Sequence, residues 1–189
     1  MDLIETAREL ARSAHSGQTR KDGVTPYIEH PLAVAATLSG YGYDDETVAA
    51  GLLHDVIEDT TLEAADLDAA VGPRVRELVE AASEPDKTLS WRERKTATLA
   101  HLPTKELAAQ RVIAADKLDN VRSIGEALAR EGDGIWDRFR APFADQAWYY
   151  RTAAAILGPL DEPLFDELVE AVRQVFGDPG TTEMDGDTS

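Results

Sequence analysis

Apolar residues recur along this chain at intervals of three and four, the spacing that lets a helix bury one face. Leu3, Ile4, Ala7, Leu10, Ala11 and Ala14 set the pattern as one stripe of a first helix. No stretch alternates apolar and polar residues as a half-buried strand does. The expected fold class is all-α, a helical bundle.

Breakers divide the pattern into elements. Gly17, Gly23 and Pro26 make residues 16–27 a loop. A second helix is expected from near His30-Pro31, since proline suits the first helical turn, through Val34 to Leu38, with Gly40 and Gly42 ending it. Asp44 or Asp45 caps a third. Further helices are expected over about 62–71, 73–82, 91–102, 105–130, 136–157 and 164–176. Residues 1–176 read as one domain, and the acidic tail 177–189, rich in Gly and Thr, reads as disordered.

The third helix ends in the stretch around which the rest is organised, Leu52-Leu53-His54-Asp55-Val56-Ile57-Glu58-Asp59-Thr60. On one continuous helix Glu58 lies over His54 and Asp59 over Asp55. Two neighbouring donors with a carboxylate one turn above each suit a metal ion and a water. A core helix fraying into an acidic end accounts for the same residues equally well.

Partners for this stretch form a short list. His30, held extended by the following proline, is either a helix cap or a further ligand. Asp116, Asp119 and Asn120 lie between apolar Val112-Ile113 and Val121; a solvated helix face explains them as readily as a site. Arg20-Lys21 reads as a phosphate or nucleotide clamp, the Arg bidentate and the Lys a point charge, or as an ordinary exposed pair. Lys87, Arg94, Lys95, Lys117 and Arg122 are further basic candidates. His15 is expected to pack against the first loop and His101 to lie on the surface. Two His and two carboxylates offer only nitrogen and oxygen, which suits Mn, Fe(II), Co, Zn or Mg. Such an ion activates water and clamps phosphate oxygens, and Glu58 or Asp59 would take or relay the proton.

Composition narrows the functions available. With 189 residues and 43% hydrophobic content the chain can bury a substantial core. It has no cysteine, which excludes thiolate ligands, a cysteine nucleophile and disulfides. No apolar run is long enough to cross a membrane, and the first residues carry charges where a signal peptide needs an apolar region, so cytoplasmic residence is expected. A net charge of -17 opposes a nucleic-acid surface. It is compatible with a small anionic ligand if cations gather at one pocket.

Four ordered motifs carry a resemblance. They are Ala14-His15-Ser16-Gly17-Gln18-Thr19-Arg20-Lys21-Asp22-Gly23, Pro26-Tyr27-Ile28-Glu29-His30-Pro31, the stretch 52–60, and Ala115-Asp116-Lys117-Leu118-Asp119-Asn120-Val121-Arg122. Together with Asp86-Lys87-Thr88-Leu89 and Glu93-Arg94-Lys95 they resemble the HD-domain metal-dependent phosphohydrolases. Within these they are most similar to the RelA/SpoT-type alarmone hydrolases of the small stand-alone kind, the metazoan type included. The resemblance runs from about Ile4 to Arg122, with Tyr149 a familiar residue beyond it. It implies an HD-type helical bundle with His30, His54, Asp55 and Asp116 as ligands of Mn(II). It makes Glu58 and Asp59 the catalytic pair and puts Asn120 beside the substrate. Arg20 and Lys21 would hold the nucleotide, with Lys87, Lys117, Arg122 and Tyr149 as further contacts. The implied reaction is hydrolysis of the 3′-pyrophosphate of ppGpp or pppGpp.

Three positions depart from the family pattern. Ile113 stands where a lysine is usual, Asp119 where an uncharged or imidazole-bearing residue is, and Trp91 where a basic residue is expected. These leave open another purine alarmone or the 2′-phosphate of NADPH as substrate. A catalytically silent nucleotide-binding module is the reading from a different class, and retention of both Glu58 and Asp59 speaks against it.

Overall fold

The structure is a computed structural model that describes residues 2–84, 88–160 and 162–178. Among the described residues no strand forms; the only pairing of that kind is an isolated bridge between Thr19 and Pro26 inside the first loop. α1 (Leu3–Ala14), α2 (Glu29–Gly40) and α3 (Asp45–Leu53) are followed by a single-turn α4 (Val56–Asp59). Then come α5 (Ala64–Val71), α6 (Pro73–Ala82), α7 (Trp91–His101), the long α8 (Leu107–Glu131), α9 (Phe143–Leu157) and α10 (Pro163–Phe176).

Two helices form the frame. α3 starts where the Asp44 side chain accepts the Thr47 N–H at 2.8 Å, satisfying one of the orphan donors of the first turn. It then buries every residue from Thr47 to Leu53, because α1, α2, α6 and α8 pack round it. Leu52 and Leu53 each contribute about 1.5–3 kcal/mol on full burial. α8 is the second spine, packed against α2, α3, α6 and α10. Gly51 lets α2 approach α3 closely: a Cβ there would stand 2.5 Å from Leu38 Cδ1.

α7 is attached differently. A reciprocal Ser90–Glu93 cap starts it, but Leu99 is its one buried residue. It is also held by α9, where Arg92 lies 3.4 Å over the Trp148 ring and Trp91 meets Tyr149 edge-on, and by the ion pairs of Arg94 and Lys95 with Glu84.

Two expectations need correction. The third helix does not continue through the organising stretch; it ends at Leu53, the chain turns at His54-Asp55, and α4 restarts at Val56. A helix was expected over 136–157, yet residues 132–138 form a 3₁₀ segment and α9 begins at Phe143. Pro142 explains the second case: it lacks an N–H, sits extended at ψ 166° and caps α9 from outside. Lys87 and residues 179–189 of the expected tail lie outside the described residues. No helix among the described residues is long and apolar enough to cross a membrane.

Candidate active site

A cavity of about 600 Å³ opens between two unlike walls. One is built from α2, the α3–α4 turn and α8; the other from α7, α9 and the segment after α8. His30 enters from the first turn of α2, His54 and Asp55 from the turn, and Asp116 from the middle of α8.

Both imidazoles are held by the nitrogen that faces away from the cavity. His54 Nδ1 lies 2.8 Å from the Gly51 carbonyl and His30 Nδ1 lies 2.6 Å from Asp119 Oδ2. Carbonyl and carboxylate oxygens only accept, so each Nδ1 carries the proton and each Nε2 is turned inward. The two Nε2 atoms are 3.2 Å apart. Asp116 Oδ1 lies 3.2 Å from that of His30 and 3.7 Å from that of His54. Asp55 Oδ2 lies 3.6 Å and 3.1 Å from the same two atoms, and it also accepts the Tyr27 hydroxyl at 2.5 Å. Donors about 2.1 Å from a shared ion lie roughly 3.0–3.4 Å from one another. The two nitrogens and the Asp116 oxygen therefore could hold a divalent cation, with Asp55 Oδ2 beside the same two nitrogens.

Charge distribution agrees with the geometry. Burial opposes charge on His30, but the carboxylates of Asp116 and Asp119 outweigh it and raise its pKa. Burial likewise opposes charge on His54, and Asp55 and Asp116 outweigh it more strongly. Burial would raise both aspartates; instead His54 holds Asp55, and Lys117 with the two histidines holds Asp116, below the usual carboxylate range.

Glu58 and Asp59 border the same cavity from α4. Glu58 Oε1 accepts the Glu84 N–H at 2.6 Å. Burial pushes its pKa up, against that hydrogen bond and with help from Asp55. Gln18 Nε2 donates to the Asp59 carbonyl at 2.9 Å and its Oε1 lies 2.8 Å from His15 Nδ1, so the first loop braces α4. Asn120 donates to Asp116 Oδ1 at 2.5 Å.

The facing wall is cationic. Lys95 and Arg94 both bind the Glu84 carboxylate. The Lys21 ammonium sits 4.1 Å over the Phe139 ring, its pKa pushed down to about 8 by the crowding walls and by Lys95, Arg20 and Arg140. Burial disfavours charge on Lys117, yet Asp116 at 2.5 Å keeps it well above the ordinary lysine value. Tyr149 is 2% exposed, and its hydroxyl has no hydrogen-bond partner among the described residues.

The structure thus gathers Arg20, Lys21, His30, His54, Asp55, Glu58, Asp59, Asp116, Lys117, Asn120 and Tyr149 round one space. Arg122 is a correction: it pairs with Glu167 of α10 and does not line the cavity. Six residues beyond Asp116, it lies about 240° further round α8. Sequence reasoning missed Tyr27, Glu84, Arg138 and Arg140, all of which line the cavity. The basic run Arg138-Phe139-Arg140 was the available signal for the last two.

Residues 7–144 match the HD domain family. The chain belongs to the HD-domain family. This HD domain is 35% identical over 183 residues to guanosine-3′,5′-bis(diphosphate) 3′-pyrophosphohydrolase MESH1 of Mus musculus, covering 95% of this chain and 96% of that one. It is 46% identical over 131 residues to the guanosine-3′,5′-bis(diphosphate) 3′-pyrophosphohydrolase of Vibrio cholerae, spanning 18% of that longer relative. A solved structure described as a metazoan ortholog of SpoT that hydrolyses ppGpp and plays a role in starvation responses superposes with a TM-score of 0.77. The two share 27% identity over 92% of this chain and 96% of that one. A crystal structure of a Listeria monocytogenes EGD-e protein gives 0.73 at 39% identity, over 78% and 98% of the two chains.

Proposed function

We propose that this HD domain is a metal-dependent pyrophosphohydrolase that cleaves the 3′-pyrophosphate of ppGpp and pppGpp, giving GDP or GTP and pyrophosphate. The observation that carries the reading is two Nε2 atoms 3.2 Å apart, with a carboxylate oxygen of Asp116 and one of Asp55 each within 3.7 Å of both, opposite a cationic wall in a protein of net charge -17. The names of relatives that span this chain supply the nucleotide.

His30, His54, Asp55 and Asp116 would hold the ion, which we assign as Mn(II) because the set mixes imidazole with hard carboxylate oxygen. When bound, it supplies Lewis acidity toward water and phosphate oxygens. Glu58, whose pKa is raised, takes the proton of the attacking water, and Asp59 orients that water. The water oxygen bonds to the phosphorus attached to the ribose, the bond from that phosphorus to the 3′-oxygen breaks, and the proton held by Glu58 passes to the 3′-oxygen. Asn120 positions the ribose end. Arg20, Lys21, Lys117 and the Tyr149 hydroxyl hold the phosphates and sugar, while Lys95 and Arg140 complete the anion-binding wall. The reading sets the protein in the cytoplasm, in the stringent response, with a small nucleotide rather than nucleic acid or membrane as its partner.

Purified protein with Mn(II) should release pyrophosphate from ppGpp, assayed beside NADPH and other purine nucleotides. His54→Ala and Asp55→Ala should abolish turnover. Equal turnover by these variants, or cleavage of a different nucleotide in preference to ppGpp, overturns the assignment.

A further inference from the structure

Asp119 departs from the family pattern, and its surroundings give it a task. Its Oδ2 accepts from His30 Nδ1 at 2.6 Å and lies 3.0 Å from Arg20 Nη1. The three side chains are 17%, 3% and 19% exposed, so all sit largely out of bulk water. Helix geometry produces the arrangement. Asp119 stands three residues beyond Asp116 and about 60° round α8 from it. Asp116 therefore reaches Nε2 of His30, at 3.2 Å, while Asp119 reaches Nδ1 of the same ring. A single helix grips His30 by both nitrogens.

We propose that Asp119 is a positioning residue shared by the two halves of the site. It fixes the His30 ring with Nε2 toward the ion, and it holds Arg20 at the border of the ion wall, where an incoming phosphate can be met. Outer carboxylates that accept from a ligating imidazole orient the ring and raise its basicity. The Arg20 guanidinium is held by charge beside Asp119, with its planar fork of donors left for phosphate. In turn, Arg20 and His30 offset a carboxylate charge that would otherwise repel an anionic nucleotide. The inference rests on the metal-dependent reading above. Its rival is a plain ion pair that fastens the first loop to α8.

Calorimetric titration of the metal-free protein with Mn(II) separates these, run on wild type, Asp119→Asn, Asp119→Ala and Arg20→Gln, with melting of each metal-free protein in parallel. Loss of an outer partner weakens metal binding by about 10–100-fold. Asp119→Asn, which keeps an acceptor oxygen, is expected near the lower figure and Asp119→Ala near the upper. Arg20→Gln should bind Mn(II) no more weakly than wild type while raising KM. Should Asp119→Ala fail to fold, the isosteric Asn variant still decides. Wild-type Mn(II) affinity in the Asp119 variants, with or without a lower melting temperature, overturns this inference alone. A wild-type protein that takes up no ion overturns the proposed function and this inference with it.

Discussion

One methyl group added at Gly51 would test how the approach of α2 to α3 sets the spacing of the two histidines. The alanine Cβ would stand 2.5 Å from Leu38 Cδ1 and 3.4 Å from Val34 Cγ1. Carbon atoms in contact sit about 3.5–4.0 Å apart, so Leu38 or the whole of α2 must yield by about 1 Å. Leu38 and Val34 are fully buried, so in a close-packed core they yield only by displacing their neighbours. Overpacking of this kind costs about 1–3 kcal/mol, and the better helix propensity of alanine offsets about 1 kcal/mol of it. The net loss of about 0–2 kcal/mol corresponds to a melting temperature lower by at most about 8 °C. The effect on the ion should be larger. Gly51 supplies the carbonyl that anchors His54, and His30 rides on α2, so a shift of that size is a third of the 3.2 Å between their Nε2 atoms. Gly51→Ala is expected to weaken Mn(II) binding at least about tenfold, the scale of an outer-partner loss. Adding Leu38→Ala to it should restore binding, although Leu38→Ala alone costs about 2–5 kcal/mol. Titration calorimetry and thermal melting read both quantities. Wild-type Mn(II) affinity in Gly51→Ala would refute the link between helix spacing and histidine spacing.

Tyr27→Phe removes the hydroxyl that Asp55 accepts at 2.5 Å; a hydrogen bond to a charged group is worth about 1.5–3 kcal/mol, and urea unfolding of the metal-free protein should lose about that much. In the metal-free protein the raised His30 and His54 contribute stability that is complete below the ordinary histidine pKa of about 6.5 and lost as pH rises through their raised values. Metal binding needs both rings neutral, so Mn(II) affinity should climb over the same pH range, and a flat affinity profile would count against these histidines as ligands. Arg122→Ala breaks only an exposed pair with Glu167, so stability should fall by no more than about 1 kcal/mol with KM unchanged; a raised KM would return Arg122 to the site.

The helical class and most boundaries were legible because period and breakers agree along this chain. Asp44 begins a helix where its chemistry requires. The break after Leu53 was not, since neither Gly nor Pro marks it. There the packing demand prevails over local propensity: turning the backbone at Asp55, φ -99° and ψ -6°, brings His54 Nε2 and Asp55 Oδ2 to 3.1 Å. Period alone left Asp116 and Asp119 undistinguished, because only the position of α2 says which carboxylate meets which ring nitrogen. Asp119, a departure from the family pattern, takes its meaning from His30 and Arg20 on either side of it. Arg122 failed for the opposite reason, a sequence neighbour of the site turned away by helix rotation.

The unequal anchoring of α7 has its own consequence. α3 is sunk into the core along seven consecutive residues, whereas α7 is fastened by one leucine and a few rings and ion pairs at its margin. Segments with few buried contacts open at far lower free energy than the core. The jaw bearing Arg94 and Lys95 can therefore breathe to admit a bulky guest and release the products, while the jaw bearing the histidines stays still.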